Sequence, residues 1–298
     1  MKIRSWIIAS RLRTLPLSLS CILMGAGLAK IFNSIDPIIF LLTISTTIFL
    51  QILSNLANDY GDGIKGTDQY RQGPDRMLQK GLISPKEMLV GIIIVALIAF
   101  TSGLLLLYKC FSLDQFYIAL IFLLIGIFSI WAAIKYTMGE NPYGYKALGD
   151  VFVFIFFGLV GVMGSFYLFT SSWHWITIPG ALFTGLLSMS VLNMNNMRDY
   201  NTDKIAGKIT IVIKLGLKKA AIYHIIILSL GLLSLASILV FIQNGWIFFS
   251  LVPIPLLFMN VKKVINYKDT IELDSELKKI ALSTFFTSLI FFVLLDFI

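Results

Sequence analysis

The sequence predicts an all-α integral membrane protein with about nine transmembrane helices, and three observations carry that prediction. Of 298 residues, 57% are hydrophobic and only 13% charged, with a mean hydropathy of +0.87. Soluble domains carry about 25% charged residues. A helix needs about 20 apolar residues to cross roughly 30 Å of bilayer hydrocarbon, and nine runs of that kind fit along the chain. Nine crossings also sort the basic residues: of 24 Lys and Arg, all but Lys30 and Lys109 fall on the side of the N-terminus.

The N-terminal stretch "MKIRSWIIASRLRTLPLSLS" has the basic start of a signal peptide. Arg11 and Arg13 interrupt its apolar run and no small-x-small cleavage site follows, so it reads as a retained segment leading into the first helix. The spans are expected near 15–33, 37–57, 87–108, 114–134, 148–169, 174–193, 220–242, 245–261 and 279–297. The chain reads as one membrane domain, 1–298. Helices one to four and five to eight form a possible pseudo-repeat, with the ninth appended.

The positive-inside rule makes the basic side cytoplasmic, with the N-terminus and the long loops near 58–86, 135–147, 194–219 and 262–279. The net charge of +8 is then a topological signal, and nucleic acid is not an expected partner. Loops on the other side, such as "TSSWHWIT" and "IQNGW", are short and aromatic, as an interfacial belt requires. Cys21 and Cys110 read as packing thiols. His174 and His224 are placed away from the cytoplasmic loops and read as packing residues.

Two of the cytoplasmic segments echo each other. Asn55-x-x-x-Asp59-Tyr60, within "NLANDYGDGIKGTD", matches Asn195-x-x-x-Asp199-Tyr200, within "NMNNMRDYNTDKIAGK". Each follows an apolar span, the second and the sixth. Residues four apart share a helix face, so Asn58 with Asp62, and Asp199 with Asp203, would align if both spans continue helically. Clustered carboxylates at a membrane boundary repel one another unless a cation joins them. Oxygen-only ligands without clustered His or Cys suit Mg²⁺. Lys65, Arg71 and Arg76 in one segment, and Arg198, Lys204 and Lys208 in the other, supply the cations that a metal-bound diphosphate needs. The loop "IKYTMGENPYGYKALGD" brings Lys135, Tyr143, Lys146 and Asp150 to the same face. A transporter is the alternative class, but transport sites sit near the bilayer midplane, whereas these acids gather at one end.

"NDYGD" with Asp68, together with "RDYNTD", resembles the paired aspartate-rich motifs of UbiA-type intramembrane prenyltransferases. The family pattern is Asn-x-x-x-Asp-x-x-x-Asp in the first segment and Asp-x-x-x-Asp in the second. Asn58 and Asp62 fit, Gly66 stands where the next acid belongs, and Asp68 follows two residues later. The blocks "RLRTLP", "NLANDYGDGIKGTD", "GPDRMLQKGLISP", "NPYGYKALGDVFVFIFFG" and "NNMRDYNTDKIAGKITIVIKLG" resemble the branch acting on 1,4-dihydroxy-2-naphthoate. The resemblance implies a UbiA-like bundle with cytoplasmic cap loops in a bacterial inner membrane. It implies Mg²⁺-dependent transfer of a polyprenyl chain from polyprenyl diphosphate to the naphthoate ring with decarboxylation, 4-hydroxybenzoate being the alternative acceptor. It further implies metal contacts at Asn58, Asp62, Asp68, Asp199 and Asp203, with Asp62, Asp199 and Asp203 central to catalysis. Diphosphate or acceptor contacts are expected at Lys65, Arg71, Arg76, Lys135, Tyr143, Lys146, Arg198 and Lys208. Asp59 is expected to orient a neighbouring cation.

Overall fold

A computed structural model describes residues 2–32, 35–67 and 74–297. Two expected site residues, Asp68 and Arg71, lie outside the described residues. Among the described residues nine helical segments are long and apolar enough to cross a membrane. They are Lys2–Lys30, Pro37–Lys65, Pro85–Cys110, Leu113–Lys135, Gly149–Thr170, Thr177–Arg198, Leu217–Ile242, Gly245–Asn266 and Thr270–Leu294. Each corresponds to one expected span, and they are called the first to ninth span below.

Five spans depart from plain α-helix, the fourth and ninth only by opening on the short 3₁₀ segments Leu113–Gln115 and Thr270–Leu273. The first is broken: helix Lys2–Ala9 gives way at Arg11, which adopts a left-handed φ of 46°, to a 3₁₀ turn Leu12–Thr14 and then helix Leu15–Lys30. The fifth carries a π-helix, Phe154–Gly164, where a regular helix was expected; Gly158, Gly161 and Gly164 remove the side chains that stabilise regular turns. The eighth begins as the 3₁₀ segment Gly245–Leu251 and becomes α-helical only from Pro255. Pro253 and Pro255 lack the N–H that a continuous helix requires there.

Contacts divide the chain into two compact units. The first comprises Met1–Leu15, Pro37–Gly149 and Asn201–Thr210. Its core joins Ala9, Leu53, Leu56, Met77, Ile83, Met88 and Ile92, with Trp6 packed against it. Gly91 admits the Trp6 ring, since a Cβ there would lie 2.5 Å from two ring carbons. The third span starts at a capping box: Ser84 accepts from Glu87 N–H, the Glu87 side chain returns to the Ser84 N–H, and Pro85 takes the position that needs no donor.

The second unit comprises Pro16–Asp36, Asp150–Tyr200 and Ile211–Ile298. The sixth span is its most buried full crossing, packed by the fifth, seventh and ninth. Small residues set these approaches: a Cβ on Gly158 would meet the Ala181 carbonyl oxygen at 2.7 Å, and one on Gly180 would meet Leu28 at 2.7 Å. Apolar attraction between helices is weak in lipid, so close packing of this kind holds them. Trp173, Trp175 and Trp246 stand exposed in the short aromatic loops. Cys21 and Cys110 are free thiols.

Candidate active site

The second span does not stop at residue 57. It continues as one helix through the acidic segment to Lys65, and Gly66, at φ 72°, ends it. Gly66 N–H donates to the Gly63 carbonyl at 3.3 Å and Thr67 N–H to the Asp62 carbonyl at 3.1 Å, the bond pair of a Schellman cap. Gly66 interrupts the acid spacing for this reason: the position is left-handed, where an aspartate is strained.

Asp62 is the centre of the first unit's polar cluster. It is buried, and its two oxygens have different partners: Arg76 Nη2 donates to Oδ2 at 3.2 Å and Tyr145 Oη donates to Oδ1 at 2.9 Å. The Tyr145 phenol carries one proton and gives it to Asp62. At the 2.6 Å contact between Thr67 Oγ1 and Tyr145 Oη, Thr67 is therefore the donor. Burial pushes the Tyr145 phenol up, and the Asp62 charge adds to the shift, so the hydroxyl stays protonated in its donor role. Lys65 Nζ lies 4.4 Å from the Tyr145 ring centroid and Lys208 Nζ 5.5 Å, both within cation–π range. Tyr145 escaped the sequence reading; its only signal was adjacency to Lys146 and closeness to Tyr143.

Local backbone pairing brings these groups together. Ala147 N–H donates to the Ile209 carbonyl at 2.8 Å and Ile209 N–H to the Tyr145 carbonyl at 3.3 Å, fastening segment 145–147 to segment 208–210. Asp203 is buried and lies 3.6 Å from Lys208 Nζ. Lys65 Nζ donates to the Thr137 carbonyl at 3.1 Å, and Thr137 Oγ1 approaches Asn58 Oδ1 at 3.2 Å and the Ala57 carbonyl at 3.0 Å. Gly61 permits this approach, since a Cβ there would meet the Thr137 backbone at 2.7 Å.

Other expected residues take different places. Asp59 orients backbone: its carboxylate accepts from Met77 N–H at 3.0 Å and Leu78 N–H at 3.3 Å, pinning the turn that delivers Arg76 to Asp62. Tyr143 donates its hydroxyl to the Ala132 carbonyl at 2.8 Å, and its ring packs on Trp131 and Tyr136. Lys146 is exposed, and Lys135 is partly buried near Gly139.

In the second unit the sixth span ends at Arg198, and Asp199 is its C-cap with φ −88° and ψ 10°. A separate helix, Tyr200–Ile205, follows. Asp199 and Asp203 therefore do not share one continuous helical face as the four-residue spacing predicted. The buried Arg198 guanidinium forks onto Asp199, Nε to Oδ1 and Nη2 to Oδ2, both at 2.7 Å, and Nη2 also reaches Asn195 Oδ1 at 2.8 Å. His224 is buried and bonded to Asn260 at 2.8 Å. The second unit also holds an apolar groove of about 620 Å³ between the fifth, sixth and seventh spans, lined by residues such as Phe154, Leu182, Leu186 and Leu233. Its two serines, Ser234 and Ser237, bond back to their own helix.

The polar groups are thus oxygen donors from Asp and Asn, with Arg and Lys cations among them. The family sequence profile described as "UbiA prenyltransferase family" matches residues 18–290. The chain belongs to the UbiA prenyltransferase family. This prenyltransferase is 41% identical over 293 residues to the 1,4-dihydroxy-2-naphthoate octaprenyltransferase of Escherichia coli K12, covering 97% of this chain and 94% of the relative. Its fold is similar to the apo structure of a UbiA homologue from Aeropyrum pernix K1, with TM-score 0.68, 16% identity, and coverage of 97% of this chain and 99% of that one. It is also similar to a UbiA homologue from Archaeoglobus fulgidus bound to GPP and Mg²⁺, with TM-score 0.58, 14% identity, and coverage of 94% and 99%.

Among the described residues, no three His, Cys, Asp or Glu side chains gather into a ready-made metal cage. A divalent ion among these residues would complete its shell with carboxamide, water and ligand oxygens. That suits Mg²⁺, which keeps waters and shares phosphate oxygens.

Proposed function

We propose that this prenyltransferase transfers a polyprenyl chain from polyprenyl diphosphate to 1,4-dihydroxy-2-naphthoate, releasing diphosphate and CO₂. The observation that carries this reading is the near-full-length similarity to the E. coli 1,4-dihydroxy-2-naphthoate octaprenyltransferase. The protein is multi-pass, and its basic-residue bias supports a bacterial inner-membrane location with the N-terminus and polar loops cytoplasmic. The lipid bilayer is then a third partner, beside the two substrates.

Asp62, Asp199 and Asp203, with Asn58, are the proposed Mg²⁺ contacts, and Asp68 is a further one. The oxygen-only donor set and the Mg²⁺-bound A. fulgidus homologue support this assignment. Bound Mg²⁺ would neutralise charge on the departing diphosphate. Lys65, Arg71, Arg76 and Lys208 are the proposed diphosphate cations, with Lys135, Lys146 and Tyr143 placed for either the diphosphate or the acceptor. Arg76 is already oriented by Asp62, and Lys65 and Lys208 by Tyr145 and its neighbours, so little reorganisation is needed as charge develops. The allylic C–O bond breaks with its electron pair leaving on diphosphate. The naphthoate ring forms the new C–C bond and loses its carboxylate as CO₂, which leaves the pair of that bond to restore aromaticity.

The test uses the purified protein with octaprenyl diphosphate, Mg²⁺ and either 1,4-dihydroxy-2-naphthoate or 4-hydroxybenzoate. Prenylated naphthol with CO₂ release is expected from the first acceptor. Product from 4-hydroxybenzoate alone would move the protein to another acceptor class, and no product from either would overturn the reading.

A further inference from the structure

Arg198 Nη1, the guanidinium nitrogen not bonded to Asp199, reaches the ninth span. It donates to Oδ1 of Asp274, the first residue of helix Asp274–Leu294. The three side chains differ in exposure: Arg198 is 3% exposed, Asp199 9% and Asp274 40%. All three guanidinium nitrogens are thereby engaged, Nε and Nη2 by Asp199, Nη2 also by Asn195, and Nη1 by Asp274.

The charges in this triad determine what Asp199 is able to do. A guanidinium paired with one carboxylate is neutral overall and attracts a cation only through its dipole. With two carboxylates on one guanidinium the group keeps a net charge of −1. A carboxylate offers about four lone-pair sites, and the Arg198 fork takes two of those on Asp199. Asp199 thus stays an oxygen donor with a fixed side-chain orientation, provided Arg198 is itself held. Without Asp274, a buried Nη1 would lose its charged partner and the guanidinium one of the contacts that hold it in place.

We infer that Asp274 is a positioning residue that holds Arg198 and thereby keeps Asp199 oriented for metal–diphosphate binding. This deepens the proposed function and rests on its assignment of Asp199. It also gives Arg198 a different task from direct diphosphate contact, because its nitrogens already serve carboxylates and Asn195. An acid in the first turn of a helix is favoured by the helix dipole in any case. That plain role would affect folding and leave metal binding unchanged.

The test is Mn²⁺ binding to the full chain in detergent, followed by EPR in the presence of inorganic diphosphate, with melting temperature measured alongside. Removing groups that orient metal ligands typically costs 10–100-fold in affinity. Asp274→Ala is expected to weaken Mn²⁺ binding about tenfold, with Asp274→Glu restoring most of it. Asp274→Asn, which keeps an acceptor and loses the charge, serves if the alanine variant does not fold; its Mn²⁺ affinity is expected between those of Asp274→Ala and wild type. Wild-type Mn²⁺ affinity in either folded variant would overturn the positioning role and leave the proposed function standing. A wild-type protein that binds no Mn²⁺ with diphosphate would overturn the proposed metal site, and this inference with it.

Discussion

From Asn55 to Lys65 the helix runs without interruption, whereas from Asn195 onward it breaks at Asp199 and restarts at Tyr200. Both segments nevertheless end alike. Asp62 lies four residues before Gly66, and Asp203 four before Gly207; both glycines are left-handed, and both helices close on the aspartate's own carbonyl. The matching caps hold the second aspartate of each segment in the last helical turn. The difference lies in the first aspartates. Asp59 faces inward and fastens backbone at Met77 and Leu78, while Asp199 is clamped by Arg198. One residue more separates Asp199 from Asp203 than Asp59 from Asp62, and the break absorbs it. Similar local sequences thus yield one carboxylate that holds backbone and one that is held by an arginine, the latter a proposed metal contact.

The largest effect expected from this comparison is on turnover. Asp199→Asn should lower kcat by about 100-fold or more, since groups stabilising transition-state charge are worth that much. Asp59→Asn should instead lose stability of about 1–3 kcal/mol by weakening two buried backbone bonds, read as a fall in melting temperature. Equal loss of turnover in both variants without loss of stability in Asp59→Asn would break the distinction.

Gly61→Ala is expected to cost about 1–3 kcal/mol through overpacking against Thr137, measured by thermal melting in detergent. Its nearest counterparts in the other segment, Asn201 and Thr202, need no such small residue. Tyr145→Phe removes one charge-assisted bond to Asp62 and should lower kcat/KM about tenfold; an unchanged value would remove Tyr145 from the site. The smallest effect belongs to the two caps. Gly66→Ala and Gly207→Ala meet nothing within 4 Å, so each should cost about 1 kcal/mol of backbone strain alone. Unequal melting shifts would show that the caps are not equivalent.

The span count, the acidic segments and their cations were legible in the sequence, because each depends on local composition. Apolar runs of fixed length, charge placement between them and Asp–Asn spacing need no knowledge of what packs against what. The roles within the polar segments were less legible. Tyr143 and Tyr145 are two residues apart in the same loop, and only the pairing of segment 145–147 with segment 208–210 sets Tyr145 beside Lys208. Asp59 and Asp199 occupy the same position in the echo and do different work.

By itself the sequence determined that this chain is a set of membrane-length apolar helices joined by oxygen-rich and basic segments. Hydrophobic length and charge are additive along a chain, so they survive without coordinates. Tertiary structure alone decided which carboxylate meets Arg76, which tyrosine holds Asp62, and that Asp274, 76 residues after Arg198, completes the clamp on Asp199. Those choices depend on side-chain direction and on contacts between distant segments, and spacing along the chain encodes neither.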